Sequence, residues 1–198
     1  MDAISECEPP SFESYSTYQS QDHLWIATLS LPTSTLEHPE VEASLPVGFI
    51  QVDIYENDGI YRSVYIHQLS VSPEHARRGI GRELIKFVEV WANGQGFSIV
   101  DLTTFSHVPW NRAYYERLGF SEMTEEELNR KDARDVKEEK EREERDALLG
   151  RWARVAMRKY LQIELNQPWY TGIVIVGCAK DGRTRDTGAI FKEAPQSI

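Results

Sequence analysis

The sequence predicts a mixed α/β domain around one twisted sheet. Three observations carry that reading. "SVYIHQLSV" alternates apolar and polar residues and feeds a Gly-Ile-Gly turn, which opens an amphipathic helical pattern. The strand "VGFIQVDIYE" precedes it across "NDG", a hairpin signal. Beyond the helix, strand and helix patterns alternate as far as residue 161.

Residues 1–23 are rich in Ser, Glu, Pro, Tyr and Gln. Within them "FESYSTYQSQ" suits a helix, and the first ten residues suit a loose chain. "LWIATLSL" reads as a strand, and "TSTLEHPEVEAS" as the loop before the hairpin. In "RGIGRELIKFVEVWANGQG", Ile80, Leu84, Phe87, Val88 and Trp91 recur at helical spacing. Asn93 to Gly96 end that helix, with glycine where a left-handed residue is wanted. "FSIVDLTTF" is the next strand. "PWNRAYYERLG" is a short helix with proline near its start and glycine at its end, and "FSEM" is a short strand.

A long charged helix is expected over about 124–149. Its i,i+4 pairs of favoured orientation are Glu126–Arg130, Glu127–Lys131, Glu138–Arg142 and Glu141–Arg145. Between Val136 and Ala147 it has no large apolar residue, so its middle is expected to be solvated on all sides. A coiled-coil role is disfavoured, because no heptad seam is sustained. "ARVAMRKYLQIEL" is the last core strand, and residues 162–198 are a tail holding one strand, "TGIVIVGCA".

The length of 198 residues suits one globular domain with extensions. The expected divisions are a segment 1–23, a domain 24–161 and the tail. The formal charge is −10, and half of it sits in residues 121–147, which hold twelve acidic and seven basic side chains. So acidic a chain is a poor nucleic-acid binder, although its field would steer cationic small molecules or basic peptides toward it. Cys7 and Cys178 are too few and too far apart for a disulfide framework or a zinc site, and no metal is expected. "MDAISECEPP" lacks the apolar stretch of a secretory signal, and the longest apolar run, "GIVIVGCA", is too short to span a bilayer. A cytoplasmic or nuclear protein with no membrane partner is expected.

"RRGIG" is the first chemical motif. Gly79 and Gly81 let the backbone approach a ligand, and the first amides of the following helix point outward without internal partners. Such an end binds phosphate, and Arg77, Arg78 and Arg82 add positive charge. A Walker A loop is excluded, since Gly81 is followed by Arg82 and Glu83. A dinucleotide fingerprint is excluded too, because Leu84 stands at its sixth position and the preceding strand returns from a hairpin. A pyrophosphate site and a ligand-free capping turn both remain open from this motif alone.

The second motif, "TFSHVPWNRAYYERLGF", lies about thirty residues on. With it the chain resembles the GNAT N-acetyltransferase superfamily, through "LSVSPEHARRGIGRELI", "VDLTTF" and "PWNRAYYERLGF" in family order and spacing. The resemblance covers roughly residues 24–161. It implies a central, mostly antiparallel twisted sheet flanked by helices, with a splayed strand pair at 64–72 and 97–105. It also implies acetyl-CoA as cosubstrate. The pantetheine arm would bond like an added strand near Leu69, Ser70 and Val71, and the pyrophosphate would sit on the turn Arg77, Arg78, Gly79, Ile80, Gly81 and Arg82.

The matching asparagine, Asn111, would help hold CoA, and the matching tyrosine, Tyr115, would protonate the leaving thiolate. Tyr114 and Trp110 share the neighbouring face and are expected to pack. For the base, His67 on the strand and His107 on the loop are candidates, because imidazole can carry a proton near neutrality. The competing reading makes His67 a sheet residue and His107 a loop tie.

The implied reaction is direct attack of a primary amine, of a small molecule or of a protein, on acetyl-CoA. A homodimer is compatible with it. Two departures motivate an alternative, a weak or inactive CoA-binding or interaction module. Ala76 stands where the family prefers Gln or Arg, and only 23 residues precede "LWIATL".

Overall fold

The computed structural model describes residues 12–21, 23–30, 44–57, 61–162, 173–178 and 184–186. The first ten residues, the expected loop at 33–43 and the turn after Asn57 lie outside them. The elements are α1 (Phe12–Ser20), β1 (Leu24–Ser30), β2 (Ser44–Asn57), β3 (Tyr61–Val71), α2 (Ile80–Gly94), β4 (Ile99–Phe105) and α3 (Pro109–Arg117). After these come β5 (Ser121–Glu122), α4 (Glu125–Leu128), α5 (Arg134–Arg145), β6 (Arg154–Tyr160), β7 (Ile173–Cys178) and β8 (Thr184–Asp186). The class is mixed α/β with mostly antiparallel strands, as the sequence predicts. The chain forms two compact units.

The first unit takes Val52–His67 and Glu89–Gln162, with strand order β5-β6-β4-β3-β2. β3 and β4 run parallel, with register Val64–Val100, Tyr65–Asp101 and Ile66–Leu102. β6 crosses β4 antiparallel along its whole length, from Ile99–Tyr160 to Phe105–Arg154. The apolar cluster joins Tyr65, Met123, Leu128, Ala133, Val136 and Ala156.

That cluster explains why the charged segment is not one helix. On a continuous α-helix Leu128 and Ala133, five residues apart, would point about 140° away from each other. The chain breaks instead into α4, a 3-10 turn at Lys131–Ala133 and α5, and both residues become buried. Thr124 caps α4 with its side chain on the Glu127 amide, and Glu127 reaches back to the Thr124 amide. That use of Glu127 replaces the expected pair with Lys131. Of the expected pairs Glu141–Arg145 forms, at 3.6 Å, whereas Arg142 turns to Glu139 and Arg130 to Asp132. The middle of α5 is not solvated all round, because Val136 is buried and Glu139 and Glu143 face inward.

The second unit takes Phe12–Gln51, Gln68–Val88 and the strands after residue 162, with strand order β3-β2-β1-β7-β8. The tail strand expected from "TGIVIVGCA" is β7, and it pairs antiparallel with β1 from Trp25–Gly177 to Leu29–Ile173. Trp25 is buried with its ring edge-on to Phe87, and Tyr15 of α1 meets Phe49 edge-on. Within α2, Ile80, Leu84, Ile85 and Val88 are buried, as the helical spacing demands.

The β1–β2 register shifts between Ala27 and Thr28, opposite Gly48 and Pro46. A Cβ at Gly48 would stand 2.7 Å from the Ser70 carbonyl oxygen, which is closer than backbone tolerates. Gly48→Ala is therefore expected to cost about 1–3 kcal/mol, read as a lower urea midpoint at unchanged slope.

Candidate functional site

In the second unit, β3 runs out through half-buried Leu69, Ser70 and Val71. The Ser72 amide donates to the Val47 carbonyl at 2.8 Å, which ties the strand end down. A 3-10 turn, Pro73–His75, follows, and the Ala76 amide closes it on the Pro73 carbonyl at 3.2 Å. Ala76 is exposed and offers no side-chain donor. Then the backbone turns left-handed twice, at Arg77 (φ 61°) and Gly79 (φ 83°). This conformation is strained for an arginine and natural for glycine.

The first internal bond of α2 is Glu83 N–H to the Gly79 carbonyl, 3.1 Å. The amides of Ile80, Gly81 and Arg82 thus precede the helical ladder. The Ile80 side chain is buried, which anchors the turn, while Arg77, Arg78 and Arg82 are exposed. Arg82 donates from Nε to Glu83 at 3.0 Å, and a Cβ on Gly79 would lie 3.2 Å from its Nη2. Glu83 itself is buried, so its charge is answered inside the turn by Arg82, with Lys86 at 3.9 Å. The result is a run of amides that, among the described residues, lie outside the helical ladder and are rimmed by exposed arginines, an arrangement suited to a phosphate ester.

In the first unit, α3 starts on Pro109 and ends where Gly119 takes φ 89°. Asn111 donates from Nδ2 to the Thr104 hydroxyl of β4 at 3.2 Å. Tyr115, one turn on, packs edge-on against Tyr114 and Phe120, with ring centroids at 5.2 and 5.9 Å. Burial, then the neighbouring Tyr114, pushes its phenol up to about 12, against a smaller opposite pull from Arg154. Tyr114 packs as expected, but Trp110 does not: it is 64% exposed. Asn111 and Tyr115 therefore sit one turn apart on a helix fixed to β4, as the spacing predicts.

The two histidines differ. His107 lies flat against Trp152, with centroids at 6.5 Å and planes 19° apart, and is also close to Phe105. His67 stands on β3 with Nδ1 at 3.1 Å from Asp53 Oδ2 of β2, and its ring meets the edge of Tyr65.

Asp53 is a residue that sequence reasoning missed. The signal was present, since both residues flank the predicted hairpin, but the loop length decides which side chains face each other. Also missed was the cluster under α5. Thr103 donates its single hydroxyl proton to Glu143, so the buried Tyr65 phenol donates to Thr103 at 2.8 Å. Arg154 donates to both Thr103 (3.1 Å) and Glu143 (2.9 Å), and Tyr55 donates to Glu139 at 2.8 Å. Burial raises both phenols well above their ordinary value, and the adjacent carboxylates push the same way.

Comparison with known proteins bears on the family and the fold. The profile of the acetyltransferase (GNAT) family matches residues 1–120. Among solved structures, the NatC complex bound to Gag peptide and CoA is similar at TM-score 0.53 and 16% identity, over 81% of this chain and 86% of that one. The NatB acetyltransferase complex bound to CoA and MES is similar at TM-score 0.52 and 16% identity, over 79% and 86%. The fold is thus that of the N-acetyltransferases. The chain belongs to the acetyltransferase (GNAT) family, and its enzyme class is acetyl-CoA-dependent N-acetyltransferase. Among the described residues no helix is long and apolar enough to cross a membrane.

Proposed function

We propose that this protein transfers an acetyl group from acetyl-CoA to a primary amine by direct attack. The observation that carries the reading is the left-handed turn at Arg77–Gly79 with open amides at the start of α2. The amides from Arg78 to Arg82 hold the pyrophosphate, and Arg77, Arg78 and Arg82 neutralise it. Dependence on backbone amides explains how the turn tolerates Ala76, which has no donor of its own.

Leu69, Ser70 and Val71 pair with the pantetheine arm as an added strand. That β3 keeps a parallel register with β4 only as far as Ile66 supports a free strand end there. Asn111 helps hold CoA. Tyr115, kept protonated by burial, donates to the sulfur as the C–S bond breaks. His67 is the base. Acetyl-CoA supplies the activated acyl group, and the two similar structures that hold CoA agree with that choice. The acceptor is an amine of a small molecule or of a protein, and the acidic surface charge suits a cationic one.

Thermal unfolding tests the cosubstrate. A ligand at a hundred times its Kd stabilises the native state by about 2.7 kcal/mol, so millimolar CoA or acetyl-CoA is expected to raise the melting temperature. No shift at millimolar CoA would remove the cosubstrate and the function with it.

A further inference from the structure

We infer that Thr104 is the positioning residue for Asn111, and that its hydroxyl turns the Asn111 amide so that Oδ1 takes an N–H of the pantetheine arm. This rests on the reading above of Asn111 as a residue that holds CoA, and it names the side chain that aims it.

β4 carries a hydroxyl where the sheet has no need of one. Val100, Leu102 and Thr104 alternate along one face of the strand. Val100 and Leu102 are buried apolar side chains, at 0% and 1% exposure, and Thr104 is buried too, at 6%. Valine would supply the same shape and strand preference without a polar group to satisfy. The Thr104 hydroxyl is instead used, accepting from Asn111 Nδ2 at 3.2 Å.

That bond leaves the other prong of the amide open. The Asn111 side chain is planar, with its acceptor and its donors on separate prongs. Once Nδ2 is spent on Thr104, Oδ1 faces elsewhere, and it has no partner among the described residues. Asn111 is half-buried, and Oδ1 is not one of the buried unpaired atoms, so solvent reaches it. The pantetheine arm carries amide N–H groups, which are the donors such an oxygen needs.

The setting of α3 gives the bond its weight. No side chain of this helix is fully buried. Val108 and Phe120, at 3% and 2% exposure, anchor the chain on either side of it. Within the helix, Asn111 bonds to Thr104, and Arg112 Nη1 lies 2.6 Å from Glu122 Oε2 of β5. Thr104 is branched at Cβ and has few rotamers open to it. Its hydroxyl therefore fixes both the seat of the first turn and the way the amide faces.

Calorimetric titration with CoA tests this in the parent, Thr104→Val, Thr104→Ser, Asn111→Ala and the Thr104→Val/Asn111→Ala double variant. Thr104→Val is expected to weaken CoA binding about 3- to 10-fold, the worth of one neutral hydrogen bond. Thr104→Ser is expected to keep the parent affinity, and Thr104→Val to add no loss in the Asn111→Ala background. Unchanged affinity in Thr104→Val overturns the inference. So does an equal loss in both backgrounds, or a loss in Thr104→Ser as large as in Thr104→Val. Nitrogen NMR on the parent does not depend on how the Thr104 variants fold. The Asn111 side-chain amide, assigned by its loss in Asn111→Ala, is expected to shift when CoA saturates the protein, and an unmoved signal overturns the inference. A parent that takes up no CoA contradicts the proposed function instead.

Discussion

Tyr115→Phe is expected to lower kcat by about 10²–10⁴-fold while leaving CoA affinity nearly unchanged. The substitution removes one oxygen and keeps the ring that packs on Tyr114 and Phe120. The turn at Arg77–Arg82, proposed to hold the pyrophosphate, is untouched. The loss therefore falls on an interaction made only as the thiolate leaves, which is the signature of equal loss in kcat and kcat/KM. The direction of the phenol's shift fixes the pH behaviour. Burial raises it to about 12, so the proton-bearing, donating form persists as pH rises. No falling limb from this group is expected between neutrality and about pH 10. Tyr114→Phe is the control and should keep its turnover. Turnover unchanged by Tyr115→Phe removes this residue from the mechanism.

Arg158→Ala is expected to cost about 3–5 kcal/mol of stability. Asp101 and Arg158 face each other across β4 and β6, and the guanidinium makes two bonds to the carboxylate, at 2.7 and 2.8 Å. It also holds the Asp132 carboxylate and carbonyl, each at 2.8 Å, and so fastens the turn before α5. Asp101 is 1% exposed, so alanine at 158 strands a buried charge.

The sign with pH follows from the Asp101 carboxyl, which burial raises above its ordinary value against the pull of Arg158. A raised folded-state value means that the folded state holds the proton more tightly than the unfolded chain does. Its contribution is present at low pH and lost as pH rises through that value. Without Arg158 the pull disappears, so the variant's deficit is expected to be smaller near about pH 4 than at neutrality. Urea titrations of parent and variant at both pH values measure it, and an equal deficit at both contradicts the account.

The backbone of the turn at Arg77–Gly79 and the placing of α3 were legible because they are local. Gly79 and the amides after it depend on a few consecutive residues, and so do Pro109, Asn111, Tyr115 and Gly119 on α3. The charged segment was not legible, because its partners are distant in the chain. Glu143 owes its burial to Thr103, forty residues away, and Glu139 to Tyr55, eighty-four away. From composition alone both carboxylates look solvated. Trp110 erred the other way, since helical spacing gives a shared face but not what covers it. The break between Leu128 and Ala133 was readable in principle, because their spacing fits no single helical stripe.

Acetyl transfer to an amine is read out by acetyl-CoA turnover together with product mass. The protein is incubated with acetyl-CoA and a panel of polyamine, lysine and N-terminal amines, while free thiol and product are followed together. At least one amine is expected to gain an acetyl group, with one thiol released for each product molecule. CoA binding with no amine accelerating thiol release beyond hydrolysis would contradict it and leave a binding module in its place.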